Sequence, residues 1–391
     1  GGGVFSGLKS AIGSGSIPVN RVDKMVTRIL AVWYRFTDQQ LQGYPPVNFD
    51  AEHSDGSGSR NLNVSVHSNA HMALSHEIAS ASAVLLKNNR TITTNGTTTR
   101  SLPLSSSRIK TIAVVAQDAK MPNKKCNDLD ECNDGTMSIG WGSGSNSLEF
   151  IIPPIDAIKS FLGTSATITS SLSNELTAGA AAAKEKDVAL VFVNAMSGEL
   201  GAYDIVVANQ GDRNNLNLWW KGGKVVATVN NNTVIVIHSV GPVCMPWSMH
   251  TNITAIIYAG APGEQTGPFI VNVLYGEYNP SGRLPFSIAD SEGDYGTTIV
   301  YASLGFSKIN YTEKLLLDYH YMDSKAIISR FEFGFGLSYT MFAYSGLIIP
   351  TSGALTVIKF TVTNTGAFVG TKKPQLYLGY PPSAGEPSKV L

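Results

Sequence analysis

The sequence predicts an α/β protein, built on a mostly parallel sheet with helices on both faces. Two observations predict it. Several short apolar runs carry no polar alternation, as in strands buried on both sides. Segments with helical spacing separate them, the alternation that gives parallel sheets. Glycine is abundant, with 38 residues in 391, as many tight connections require. Hydrophobic residues make up 43% and charged residues 15%, enough to build a sizeable core. Lys+Arg and Asp+Glu are both 29, for a formal net charge of +0. That balance argues against a nucleic-acid or anionic-membrane partner, which would select a basic excess.

The elements follow in chain order. The opening GGGVFSGLKS has neither an initiator Met nor a signal-peptide pattern, and it reads as the interior of a longer chain. In NRVDKMVTRILAVWYRF (20–36), Val22, Met25, Val26, Ile29, Leu30 and Trp33 recur at helical spacing. Residues 37–66 are rich in Gly, Ser, Asp and Pro and read as a linker. SNAHMALSHEIASASAVLLKNN (68–89) reads as one helix, with Ser68 or Asn69 as N-cap. Strands are expected at 109–116, 166–171, 187–194, 233–239 and 254–259, and helices at 154–163, 174–185, 214–229 and 264–276. Residues 290–340 form an irregular, aromatic connection. From 355, LTVIKFTVTNTG and KPQLYLGYPP alternate with period two, like the start of an antiparallel β-sandwich.

In a parallel sheet, ligands sit outside the carboxyl ends of the strands. DVALVFVNAMSGELG (187–201) places Glu199 there, after Gly198 and just past an apolar strand. A solvated loop carboxylate is the ordinary fate of such a Glu. Its rigid mount and the close approach Gly198 permits favour a general acid. GWGSGS (140–145) offers a glycine-lined turn with Ser143 and Ser145. A Cys-bearing loop separates it from the preceding strand, so a hydroxyl presented to a sugar fits better than a dinucleotide site. Cys126 and Cys132, in KCNDLDECNDG, suit a local disulfide, with two free thiols as the alternative. A zinc site lacks ligands, because no His lies in that loop. Cys244 reads as a buried small hydrophobe, Asp212 as the N-cap of the 214–229 helix, and Arg213 as structural. His238, ending an apolar strand, reads as a satisfied core histidine rather than a base. No G-x-S-x-G elbow, H-E-x-x-H or P-loop occurs, and neither cofactor nor metal is expected. N-x-S/T sequons stand at Asn63, Asn89, Asn95, Asn231, Asn252 and Asn310. With a disulfide they favour a secreted, extracellular glycoprotein.

Ten stretches in order, among them RVDKMVTRILAVWYRF, HEIASASAVLLKNN, IAVVAQDA, CNDLDECNDGTMSIGWGSGS, DVALVFVNAMSGE, GDRNNLNLWW, VIHSVGPV and FEFGFGLSYTMFAYSGL, resemble fungal-type β-glucosidases of glycoside hydrolase family 3. The resemblance implies a (β/α)8-like barrel carrying a nucleophilic Asp, an α/β sandwich carrying the acid/base Glu, and a fibronectin-III-like domain. Residues 1–36 then match the last helix of the barrel, 67–289 the sandwich, and 341–391 the beginning of the third domain. Glu199 falls on the general acid/base, Ser143 on a glucose contact, and Cys126 and Cys132 on a disulfide of the fungal members. Tyr203 is placed as an aromatic of the leaving-group subsite. GELGAYD departs from the usual GEGY continuation, and APGEQTG stands for PGQESG. The barrel's nucleophile motif and its sugar-binding residues have no counterpart here, so the missing N-terminal barrel is an expected partner and this chain alone is expected to be inactive. The implied reaction is retaining hydrolysis of terminal non-reducing β-D-glucosyl residues, in cellobiose or β-glucan oligosaccharides. A β-xylosidase or exo-β-glucan hydrolase of the same family, and a non-enzymatic carbohydrate-binding or scaffold remnant, are the alternatives.

Overall fold

The computed structural model describes residues 7–36, 67–92, 98–122, 134–140, 148–197, 213–219, 222–300, 308–349 and 357–391. The chain divides into two units, Gly1–His67 and Ser68–Leu391. The first holds helices α1 (Leu8–Gly13) and α2 (Val19–Phe36). The apolar stripe of α2 forms as its spacing predicts, and Ile29, Leu30 and Trp33 on it are exposed.

The second unit is organised around a six-stranded sheet. Its strands are β1 (Val84–Asn88), β4 (Thr111–Val115), β5 (Thr167–Ser171), β6 (Val188–Ala195), β7 (Thr233–Ser239) and β8 (Ile253–Gly260), in the order β1-β8-β7-β6-β4-β5. All neighbours are parallel except β1, which pairs antiparallel with β8. A separate hairpin, β2 (Arg90–Ile92) with β3 (Thr98–Arg100), follows β1.

Period-two geometry sends alternate side chains to opposite faces. On β6, Val188, Leu190 and Phe192 enter one core, while Ala189, Val191 and Val193 enter the other. Helices α3 (Asn69–Ser82), α4 (Pro154–Leu162) and α7 (Thr266–Tyr275) cover the Phe192 face; α5 (Leu176–Ala183) and α6 (Gly222–Ala227) cover the other. Every residue of β6 and β7 is buried, as strands covered on both faces require. Local chemistry sets the helix ends. Ser68 caps α3, its Oγ accepting from His71 N at 3.2 Å. Pro154 opens α4 at a position that needs no N–H donor. Gly276, at φ 83°, closes α7 in the left-handed conformation. Gly267 lets α7 lie against α4, since a Cβ there would stand 2.6 Å from the Ile152 and Pro153 carbonyl oxygens.

Two expected helices are corrected. The helix over 68–89 ends at Ser82, and VLLKN becomes β1. A continuous apolar run has no periodicity that separates strand from buried helix, and the free edge of β8 decides. The 214–229 helix shrinks to Gly222–Ala227. Its expected first turns are held by tertiary bonds instead: Leu216 N donates to Glu292 Oε1 at 2.6 Å, Cys244 N to Leu216 O at 2.8 Å, and Trp219 N to Asn194 O at 3.0 Å. Asn215 Oδ1 also takes the Asn217 N–H at 3.0 Å, a local competitor of helix.

After the sheet, the chain returns along its edge. Ile288 bridges to Phe331 and Leu85 to Leu337, and a short helix, α8 (Tyr319–Ser324), lies between. Strands β9 (Phe342–Ile348) and β10 (Lys359–Asn364) pair antiparallel. The KPQLYLGYPP run yields only a two-residue strand, β11 (Leu378–Gly379), paired with β12 (Lys389–Val390).

Candidate active site

Strands β4, β6 and β7 end side by side, and their carboxyl ends carry polar residues into an apolar core. Asp118, three residues past β4, is 1% exposed. Its Oδ1 accepts from Asn194 Nδ2 on β6 at 2.8 Å and from Met137 N at 2.9 Å. Its Oδ2 lies 2.6 Å from Nδ1 of His238 on β7. His238 is fully buried, with Nε2 3.3 Å from Thr266 Oγ1, and Thr266 Oγ1 is 3.0 Å from Thr136 Oγ1. His238 is thus the satisfied core histidine that its sequence setting suggested. The turn carrying Asp118 begins at Ala116, whose φ of 81° is one that L residues seldom adopt.

Segments leave this platform at two places. Residues 134–140 lead toward GWGSGS and are pinned by Thr136 N to Lys120 O at 2.9 Å and by Gly263 N to Ser138 O at 2.8 Å. Ser197, just past β6, accepts the Arg213 N–H on Oγ at 3.1 Å. The two stems of the 198–212 stretch are therefore tied to each other. The Arg213 side chain lies against the turn after β7, its Nη1 3.5 Å from Ser239 Oγ, and burial lowers its pKa. Nearby, Cys244 is free and buried, as its sequence reading expected. Burial, with Glu292 adding to it, pushes the thiol up to about 11. Tyr258 shares its one hydroxyl proton between the carbonyls of Ser239 and Gly241, at 2.9 and 2.8 Å, and burial raises its phenol to about 12.

Glu199, Ser143, Tyr203, Cys126, Cys132, Asn63, Asn95 and Asp212 lie outside the described residues. The described 213–219 stretch is bent rather than helical, so Asp212 does not directly precede a helix. Of the remaining sequon residues, Asn89, Asn231 and Asn310 are exposed. Asn252 is half-buried and spends its amide on Ala227 O at 2.7 Å. Among the described residues no group of three His, Cys, Asp or Glu is placed to hold a metal ion, and no helix is long and apolar enough to cross a membrane. Sequence reading missed Asp118, Asn194, Thr136 and Thr266. For Asp118 and Asn194 the only signal is polarity at the end of an apolar strand; Thr136, in a loop, and Thr266, opening α7, carry none.

Residues 83–339, which include this sheet, match the glycosyl hydrolase family 3 C-terminal domain. The chain belongs to glycosyl hydrolase family 3. It is 41% identical to a probable beta-glucosidase L of Aspergillus terreus, over 98% of this chain and 53% of the relative. Among solved structures it resembles the beta-D-glucoside glucohydrolase of Trichoderma reesei, with TM-score 0.81 and 36% identity over 98% of this chain and 53% of that one. A beta-glucosidase from Chaetomella raphigera aligns with TM-score 0.83 and 34% identity, over 98% and 54%. The chain thus spans about half the length of the family 3 relatives it matches.

Proposed function

We propose that this chain is the acid/base-bearing part of a retaining β-glucosidase, with Glu199 as proton donor and Ser143 as a contact to the glucose. Tyr203 would line the leaving-group subsite. The observation that carries the reading is the mount. Glu199 follows, by four residues, the last residue of β6, a fully buried central strand, in a family 3 chain whose relatives are named beta-glucosidases.

Retaining hydrolysis needs two carboxyl groups, about 5–5.5 Å apart across the glycosidic bond. In the first step a nucleophilic carboxylate attacks the anomeric carbon while Glu199 donates its proton to the departing oxygen. In the second step Glu199, now a base, takes a proton from water, and the resulting hydroxyl displaces the nucleophile. The nucleophile's motif has no counterpart in these residues, so we assign it to a barrel domain and expect this chain alone to be inactive. β-Glucosides and β-glucan oligosaccharides are the proposed substrates. A secreted glycoprotein with a Cys126–Cys132 disulfide and a fibronectin-III-like C-terminal part belongs to the same proposal.

The test is complementation. The 391-residue chain is mixed with the half of the Aspergillus terreus relative that it does not span, and hydrolysis of an aryl β-glucoside is followed. Activity is expected in the mixture alone and should fall about 10²–10⁴-fold with Glu199→Gln. Undiminished activity with Glu199→Gln would overturn the assignment.

A further inference from the structure

One buried carboxylate touches the roots of both segments assigned above to catalysis. Met137, bonded through its N–H to Asp118 Oδ1, lies six positions before Ser143. Asn194, bonded to the same oxygen, lies five positions before Glu199. His238 takes the other oxygen and passes the chain of bonds on to Thr266 and Thr136, and so back to the segment that leads to Ser143. We infer that Asp118 and His238 are positioning residues that lock these two roots to each other, on which the proposed work of Ser143 and Glu199 depends. This inference rests on the reading of Glu199 as acid/base.

Shape alone does not call for this network. Nearby core positions on the same strands are Val115, Val193 and Ile237, and apolar filling would serve packing equally well. A buried carboxylate and imidazole are costly unless fully bonded, and what such a network adds is a single defined geometry. The bonds here close without an orphan proton. Two N–H donors occupy Oδ1. A neutral His238 carrying its proton on Nδ1 would donate to Oδ2 and leave Nε2 to accept the Thr266 hydroxyl proton. Asp118→Asn can keep the same connections. Its amide nitrogen would donate to Nδ1, and the ring would take its other tautomer and donate Nε2–H to Thr266 Oγ1. Asp118→Ala cannot.

Two measurements test the lock. In the first, hydrogen exchange is followed in the 391-residue chain itself. Asp118→Ala should speed exchange in 134–140 and in 194–197 together, by about tenfold or more, while Asp118→Asn stays within about threefold of the parent chain. Loosening of one segment alone, or equal damage by Asn and Ala, overturns the proposal. If Asp118→Ala fails to fold, His238→Leu, which strips Oδ2 of its partner, is judged by the same criterion. In the second, the complemented enzyme is assayed on cellobiose and on dinitrophenyl β-glucoside, whose leaving group needs no proton. Asp118→Ala should lose about tenfold more kcat/KM on cellobiose than on the activated glucoside. Equal losses would mean only that less protein is folded, and would refute positioning. Glu199→Gln is run alongside. If it shows no such discrimination, the acid/base reading fails and the exchange result alone judges the lock.

Discussion

Alkaline pH should destabilise this chain through its buried phenols, and Tyr258 gives a direct measure. Its ring packs edge-on against Phe286 at 5.8 Å between centroids, and its hydroxyl faces the carbonyls of Ser239 and Gly241. Burial is the main cause of its shift, from the ordinary 10.0 to about 12; the Ser239 bond and Arg213 oppose it. The sign follows from linkage. A phenol with a raised folded pKa contributes stability that is whole below about pH 10 and is lost as pH climbs toward about 12, because the unfolded chain gives up its proton first. Each pH unit in that window removes about 1.4 kcal/mol, so a shift to about 12 corresponds to roughly 3 kcal/mol. Tyr275 and Tyr295, also raised to about 12 but less buried, act in the same direction with smaller shares. Tyr258→Phe should cost about 1 kcal/mol at neutral pH through the lost hydroxyl bond. It should also flatten the fall of unfolding free energy by about 1.4 kcal/mol per pH unit. Urea titrations of both proteins at stepped pH measure the two slopes. Parallel slopes would refute the argument that this phenol is buried as a neutral donor.

Three other outcomes are expected. Gly267→Ala should destabilise by about 1–3 kcal/mol in urea, because its Cβ would meet the Ile152 and Pro153 carbonyl oxygens, and backbone oxygens cannot swing aside. Asn88→Ala should cost about 2–3 kcal/mol, since the buried amide bonds Leu102 in both directions, Nδ2 to O at 2.8 Å and N to Oδ1 at 2.9 Å. Cys244, with its thiol held up at about 11, should resist iodoacetamide at about pH 8 in the folded chain and react once denaturant is added.

The parallel strands were legible because being covered on both faces writes an uninterrupted apolar run, and VALVFV on β6 is the clearest case. Strand β1 was not, since VLLK follows a helix without a break and only the partner edge of β8 distinguishes strand from helix there. The early end of the 214–229 helix was also hidden. Glu292, Cys244 and Asn194, which capture the backbone of 216–219, are distant in sequence. The site divides in the same way. Apolar flanks marked His238 as a core residue, whereas Glu199 lies outside the described residues. The Asp118 network left no local trace, because its bonds span 19, 76 and 120 positions and its members share no spacing. Polar residues at strand ends become a network only after the sheet has brought the ends together.

The central claim is that Glu199 gives and takes the proton, and azide trapping tests it most directly. In the complemented enzyme, Glu199→Ala should turn over an activated aryl β-glucoside faster when azide is added and release β-glucosyl azide. Azide attacks the glucosyl-enzyme on the face that water would have used and needs no base. Release of α-glucosyl azide would mark Glu199 as the nucleophile instead, and the absence of any azide product would remove it from the proton-transfer step.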